Sequence, residues 1–268
     1  MNQEMKNLDA LLKLLLAEST TYKSATLPIT LREQRKLLRV LMNTRPAIPV
    51  SEEIIRLQDI ELQDQLNEKG VVQLHSIESS PVDNRLKIWQ GDITRLKTDA
   101  IVNAANSQML GCFAPLHGCI DNAIHSAAGI QLRLACHDLM QQQGSAEKTG
   151  KAKITRGYNL PAKYIIHTVG PIIRSDKVTP EEELLLAECY RSCLKIADRF
   201  QIKSIAFCCI STGEFHFPNQ RAAEIAIATV NEHLQNNADC KLDSIIFNVF
   251  KDQDLFIYRN LLSLNPND

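Results

Sequence analysis

The chain has no stretch of about 20 apolar residues, the length that a membrane span needs. Its richest leucine run, Leu11 to Ala17, contains Lys13 and follows an amphipathic helical pattern. The first residues lack the basic, apolar and small-residue regions of a secretory signal. A cytoplasmic setting without membrane association is therefore expected. Charge of one sign is also missing: 30 Lys and Arg face 31 Asp and Glu, a net charge of −1. That balance offers no whole-chain attraction to nucleic acid or to anionic lipid. There is no internal repeat and no low-complexity run. Hydrophobic residues make up 44%, which excludes a disordered chain. In a reducing compartment the eight cysteines read as core residues, or as metal ligands where a histidine lies near.

The 268 residues fit a main domain with an appended subdomain. Residues 1–80 carry helical periodicity: Leu8, Leu11, Leu12, Leu15 and Leu16, then Leu37, Leu38 and Leu41, then Ile54, Ile55, Leu57, Leu62 and Leu66. Pro28, Pro46 and Pro49 punctuate them. Ser51 followed by Glu52 and Glu53 reads as an N-cap with an acidic first turn. A small extension of about three helices is expected, with no catalytic constellation in it.

Residues 81–268 alternate strands with helices. Short apolar runs at Leu86–Trp89, Ala100–Ala104, Tyr164–Thr168, Ser204–Ile210 and Ser244–Phe250 read as strands. Helical stretches at about 121–143, 180–200, 219–236 and 252–263 separate them. This order predicts a mostly parallel sheet covered on both faces. Ligands of such sheets bind at the carboxyl ends of the strands, so the loops there carry the chemistry.

Three of those loops are unusual. One is Gly91-Asp92-Ile93-Thr94. The second starts at Asn103-Ala104-Ala105-Asn106 and runs through Gly111 and Gly118 to Asp121-Asn122-Ala123-Ile124-His125. The third is Ser211-Thr212-Gly213-Glu214-Phe215-His216-Phe217-Pro218. Each alone is a turn or a cap. In this order, together with Gly150-Lys151-Ala152, Tyr158-Asn159-Leu160-Pro161-Ala162-Lys163-Tyr164 and Ile166-His167-Thr168-Val169-Gly170-Pro171, they resemble the macrodomain family over about residues 85–265. The resemblance implies a three-layer α/β/α fold with a mixed sheet and a cleft for ADP-ribose.

Physical chemistry agrees with that ligand. Diphosphate needs backbone N–H groups at helix N-termini and in glycine-containing loops, which the stretches around Gly118–Asp121 and Ser211–Phe215 supply. Asp92 accepts from the adenine amino group. Phe250 stacks on adenine or belongs to the core. The ligand-binding set is Asp92, Ile93, Asn106, Ile120, Asp121, Ser211, Thr212, Gly213, Glu214, Phe215 and Phe250. Asn106 is expected at the distal ribose, with Asn103 a weaker candidate.

One loop departs from the ordinary macrodomain. A run of glycines usually leads into Val-Asp-Gly-Ala-Ile-His. Here Gly111-Cys112-Phe113-Ala114-Pro115-Leu116-His117-Gly118-Cys119-Ile120 stands before Asp121. Cys112, His117 and Cys119 form a Cys-x4-His-x-Cys set. Two thiolates and an imidazole suit zinc, and three ligands on one loop match the catalytic rather than the closed structural pattern. The alternative is two small apolar cysteines and an incidental histidine. The loop's place matches the zinc-dependent macrodomains, so one Zn2+ per chain is expected.

That subfamily implies hydrolysis of ADP-ribose from a mono-ADP-ribosylated protein. Asp121, just past the ligand loop at the start of a helix, is the candidate general base or the residue that orients water and ribose, or else a helix cap, and Asn106 is the second catalytic candidate. It further implies reversal of a companion sirtuin-type transferase acting on a lipoyl-carrier protein like the glycine cleavage H protein. The competing readings are a non-catalytic ADP-ribose reader, an O-acetyl-ADP-ribose deacetylase, and an RNA-binding macrodomain. The near-zero net charge disfavours the last.

Overall fold

The computed structural model describes residues 3–175 and 177–264. Three helices come first: α1 (Gln3–Glu18), α2 (Leu31–Thr44) and α3 (Glu52–Lys69). Thr30 caps α2 by accepting from the Glu33 N–H, and Ser51 caps α3 by accepting from the Ile54 N–H, as its spacing predicts.

Seven strands follow: β1 (Glu78–Ser79), β2 (Leu86–Gln90), β3 (Ala100–Ala104), β4 (Ala152–Arg156), β5 (Tyr164–Thr168), β6 (Ser204–Phe207) and β7 (Ser244–Val249). They form one sheet in the order β1-β2-β7-β6-β3-β5-β4. The five inner strands run parallel, and β1 and β4 pair antiparallel at the edges. Helices α4 (Ile120–Ala128) and α5 (Ile130–Gln143) cover one face. Helices α6 (Pro180–Arg199), α7 (Asn219–Asn236) and α8 (Asp252–Leu261) pack side by side on the other. This is the three-layer α/β/α architecture with a mixed sheet. Because both faces are covered, the central strands carry adjacent apolar residues: Ile101, Val102, Ile165, Ile166, Ile205, Ile245 and Ile246 are all fully buried.

The expected elements differ from the observed ones at several points. The stretch 121–143 is two helices, broken at Gly129. That residue takes φ +99°, and a Cβ there would meet the Gln58 amide nitrogen at 2.6 Å. The strand expected over Ser204–Ile210 ends at Phe207, although Cys208 and Ile210 remain buried on the way into the next loop. The strand expected to end at Phe250 ends at Val249. Strand β4, Ala-Lys-Ile-Thr-Arg, has no apolar run because it lies at a half-exposed edge.

The helical extension has its own apolar cluster, which takes in one buried residue of the rest of the chain. Leu8, Leu11, Leu38, Leu41, Ile54 and Leu57 pack with Ile130 of α5. The Arg133 guanidinium, also on α5, reaches back to donate to the carbonyls of Met42 and Arg45. Val72 bridges to Leu96, and β1 begins at Glu78, so the last residues before 80 already belong to the sheet edge. All eight cysteines are free. Cys136, Cys189, Cys193 and Cys208 are buried. Among the described residues no helix is long and apolar enough to cross a membrane.

Candidate functional site

The loops that follow β2, β3, β6 and β7 gather at one edge of the sheet. At one end, the parallel pairing of β2 with β7 sets Gly91 beside Val249, whose carbonyl accepts from the Gly91 N–H at 2.9 Å. Asp92 and Phe250 are therefore neighbours. Phe250 is 77% exposed, which removes the core alternative and leaves its ring free to stack. Asp92 caps a short turn, Ile93–Arg95, through Thr94. Its other carboxylate oxygen lies 3.8 Å from the Lys69 ammonium of α3. The Ile93 side chain is buried in the core, so only its backbone is left to a ligand.

Asp121 opens α4 and is buried. Asn103 of β3 donates to one of its oxygens at 2.8 Å, and Asn106 reaches the other at 3.4 Å. Burial pushes the Asp121 carboxyl up to about 6, against the Asn103 hydrogen bond and the charge of Arg133. Asn103 is wholly buried. Its amide nitrogen also lies 3.1 Å from His167 Nδ1, and His167 Nε2 lies 2.9 Å from the Thr155 hydroxyl. Asn103 thus holds Asp121 from behind, whereas Asn106 is half-buried in front. His125 lies 3.5 Å from Asp121. Burial drives the pKa of His125 well below the ordinary value and that of His167 to about 4, so both are neutral near pH 7.

The Cys-x4-His-x-Cys loop brings its three side chains together. The ligand atoms of Cys112, His117 and Cys119 all lie within 4.8 Å of one another, and Cys112 Sγ is 3.7 Å from His117 Nδ1. Ordinary zinc bond lengths and a tetrahedral angle place sulfur and nitrogen ligands about 3.6 Å apart. The donor set and its spacing fit zinc. Cys119 is also the N-cap of α4, its sulfur accepting from the Asn122 N–H at 3.4 Å. A helix N-terminus favours a thiolate, whereas burial without a metal pushes this thiol up to about 11. The other nitrogen of the His117 ring lies 3.7 Å from Glu214 of the third loop, a carboxylate suited to orienting a metal-bound imidazole. Cys136, on α5, lies apart from this group, against His167.

Two stretches beside this group offer backbone donors. Among the described residues, the amides of Gly118, Cys119, Ile120 and Asp121, at the start of α4, donate to no protein acceptor. The amides of Gly213, Glu214 and Phe215 are equally unused. Ser211 starts that loop at φ +65°, buried, with its hydroxyl oxygen unpartnered. Thr212 folds back onto the Cys209 carbonyl. Two amide-lined loops at a sheet edge suit a diphosphate.

A model of the Macro domain matches residues 102–226, which include Asn106, the cysteine loop, Asp121 and Ser211–Phe215. The chain is 53% identical over 234 residues to a protein-ADP-ribose hydrolase of Staphylococcus aureus, covering 87% of this chain and 86% of that one. It is 50% identical over 258 residues to a protein-ADP-ribose hydrolase of Treponema medium, covering 94% and 97%. The chain belongs to the macrodomain family. Among solved structures, this macrodomain resembles that of Trypanosoma brucei in complex with ADP-ribose, with a TM-score of 0.65 and 28% identity over 84% of this chain and 94% of that one. The macrodomain of Oceanobacillus iheyensis with ADP gives 0.60 and 38%, over 70% and 94%.

Sequence reasoning missed the site contacts that the extension makes. Lys69 beside Asp92, and Arg39 and Asn43 beside the cysteine loop, come from helices with no signal of chemistry. Their partners lie 23 to 78 residues along the chain, a separation that only the fold closes.

Proposed function

We propose that this macrodomain is a zinc-dependent hydrolase that removes ADP-ribose from a mono-ADP-ribosylated protein. The observation that carries the reading is the convergence of Cys112, His117 and Cys119 on one point, in the loop that leads directly into the buried carboxylate of Asp121. A pure reader of ADP-ribose has no use for a Lewis acid at that place. The naming of relatives at 50 to 53% identity as protein-ADP-ribose hydrolases supports the same reaction.

Phe250 and Asp92 take the adenine, the ring by stacking and the carboxylate by accepting from the amino group. The amides at Gly118–Asp121 and Gly213–Phe215 take the diphosphate. Asn106 orients the distal ribose. When bound, zinc supplies a Lewis acid at that end of the cleft, held by Cys112, His117 and Cys119. Asp121 acts as general base on the attacking water. With its pKa pushed up to about 6 it is ionised at neutral pH, yet more basic than an ordinary aspartate. Asn103 fixes the orientation of that carboxylate. The protein substrate we propose is a lipoyl carrier of the glycine cleavage H type, modified by a companion sirtuin-type transferase. This part rests on the subfamily resemblance.

Incubation with a mono-ADP-ribosylated protein, with free ADP-ribose as the readout, tests the reading. Release that stops on chelation and resumes on adding zinc is the expected result. Binding of ADP-ribose without any release would make the chain a reader. Turnover confined to O-acetyl-ADP-ribose would make it a deacetylase.

A further inference from the structure

The loop from Gly111 to Cys119 contributes little to its own shape. Among the described residues, its single internal backbone hydrogen bond runs from the His117 N–H to the Ala114 carbonyl, at 3.3 Å. Leu116 sits at φ +58°, a left-handed conformation that disfavours a bulky side chain unless neighbours impose it. The neighbours are on α2. The Asn43 side-chain oxygen accepts from the Leu116 N–H at 3.1 Å. Arg39 donates to the His117 carbonyl at 3.0 Å. The same guanidinium forks onto the Asn122 side-chain oxygen at 3.1 and 2.7 Å, and the Asn122 amide donates to the Ala114 carbonyl at 3.0 Å. Asn43 is anchored in turn on Ser126 of α4. Asn43 and Asn122 are almost wholly buried, so these bonds are sheltered from competing water.

We infer that the N-terminal helices exist in this fold to pre-shape the metal loop, with Arg39 and Asn43 as positioning residues for zinc. The inference rests on the zinc reading above. Three backbone groups, at Ala114, Leu116 and His117, are fixed between the two cysteine ligands. His117 cannot move far from Cys112 and Cys119 while they are held. The loop therefore does not have to be ordered by the ion, and affinity that would be lost to ordering is retained. Removing the clamp lets Leu116 relax from its left-handed conformation and lets the imidazole drift. Outer hydrogen-bond partners of metal sites are worth on the order of 10- to 100-fold in metal affinity.

The test uses the full chain, stripped of metal, as wild type and as Arg39→Ala and Asn43→Ala. Zinc affinity is read by competition with a chromophoric chelator, and site geometry by the visible absorption of the cobalt(II) form. Each variant is expected to bind zinc at least tenfold more weakly, with weaker tetrahedral cobalt bands, while its metal-free circular dichroism stays that of wild type. Where an alanine variant loses its native circular dichroism, Arg39→Lys replaces it. Lysine keeps a donor for the His117 carbonyl and loses the fork onto Asn122, and at least threefold weaker binding is expected. Wild-type zinc affinity and cobalt spectrum in folded variants would overturn the inference and leave the zinc reading standing. A wild-type chain that takes up no zinc would overturn both.

Discussion

Replacing Cys119 separates two roles that the same sulfur holds. It is a candidate metal ligand, and it caps α4 by accepting from the Asn122 N–H at 3.4 Å. Cys119→Ala removes both. Cys119→Ser removes the thiolate and keeps a capping oxygen, which is the better cap. A lost cap costs about 1 kcal/mol, roughly 2–4 °C in melting temperature for a protein of this size. The serine variant should show none of that loss when metal-free proteins are compared. A neutral hydroxyl is a poor zinc ligand, so both variants should lose the ion. Turnover should fall about a thousandfold or more in each, on the order of 4 kcal/mol of barrier. Circular dichroism melts beside an ADP-ribose release assay read both effects. The reasoning fails if the serine variant turns over within tenfold of wild type. It fails equally if either variant melts far below wild type while keeping turnover at low temperature, because the metal would then be holding the fold.

Asp121→Asn should abolish release while ADP-ribose binding by calorimetry survives, since adenine and phosphate contacts lie elsewhere; equal loss of both would make Asp121 a structural cap. The same variant should be the more stable protein above pH 6. Asp121 is raised from 3.8 to about 6, so its ionised form is disfavoured in the fold by on the order of 3 kcal/mol. Wild-type stability from this group is present below about pH 4 and lost as the pH rises through 6, a slope that urea melts of the asparagine variant should lack. Turnover of the wild type should fall on acidification through an apparent pKa of about 6, where the base is protonated; a flat profile down to pH 5 would remove Asp121 as base. Phe250→Ala should weaken ADP-ribose binding by about tenfold or more, the worth of one base stacked on an aromatic, and an unchanged affinity would remove the stacking role. A fragment of residues 81–268 exposes Ile130 and strands Arg133 without its Met42 and Arg45 acceptors. It should melt well below the full chain or aggregate, and a fragment of full-length stability would show the extension to be separable.

The metal part of the site was legible because chain proximity brings it together, whereas Asp92, Ser211–Phe215 and Phe250 were reached only through the order of the loops along the chain. Cys112, His117 and Cys119 lie within eight residues, and Asp121 two further on, so a short loop suffices to place them near one another. The strands Ala100–Ala104 and Tyr164–Thr168 were legible because burial on both faces gives each a run of adjacent apolar residues, Ala100–Val102 and Tyr164–Ile166. Strand β4 was hidden because an edge strand exposes one face, and Ala-Lys-Ile-Thr-Arg carries polar residues there. Gly129 was hidden inside an otherwise helical pattern, since only its positive φ and the approach of Gln58 make it a break. The buried pair of Asn103 and His167 behind Asp121 joins β3 to β5, and only their register, Asn103 opposite His167, brings it about. Arg39 and Asn43 read as ordinary polar positions of an amphipathic helix. Their role follows from the packing of α2 on α4, which no local pattern contains.

One zinc per chain, held by Cys112, His117 and Cys119, is proposed to be needed to release ADP-ribose from protein. The most direct measurement titrates zinc into metal-free enzyme and follows release from a mono-ADP-ribosylated protein at each step. No turnover is expected without metal, then a linear rise to a plateau at one zinc per chain, and no rise at all in Cys119→Ser. Full turnover by enzyme shown by elemental analysis to hold no metal would contradict it.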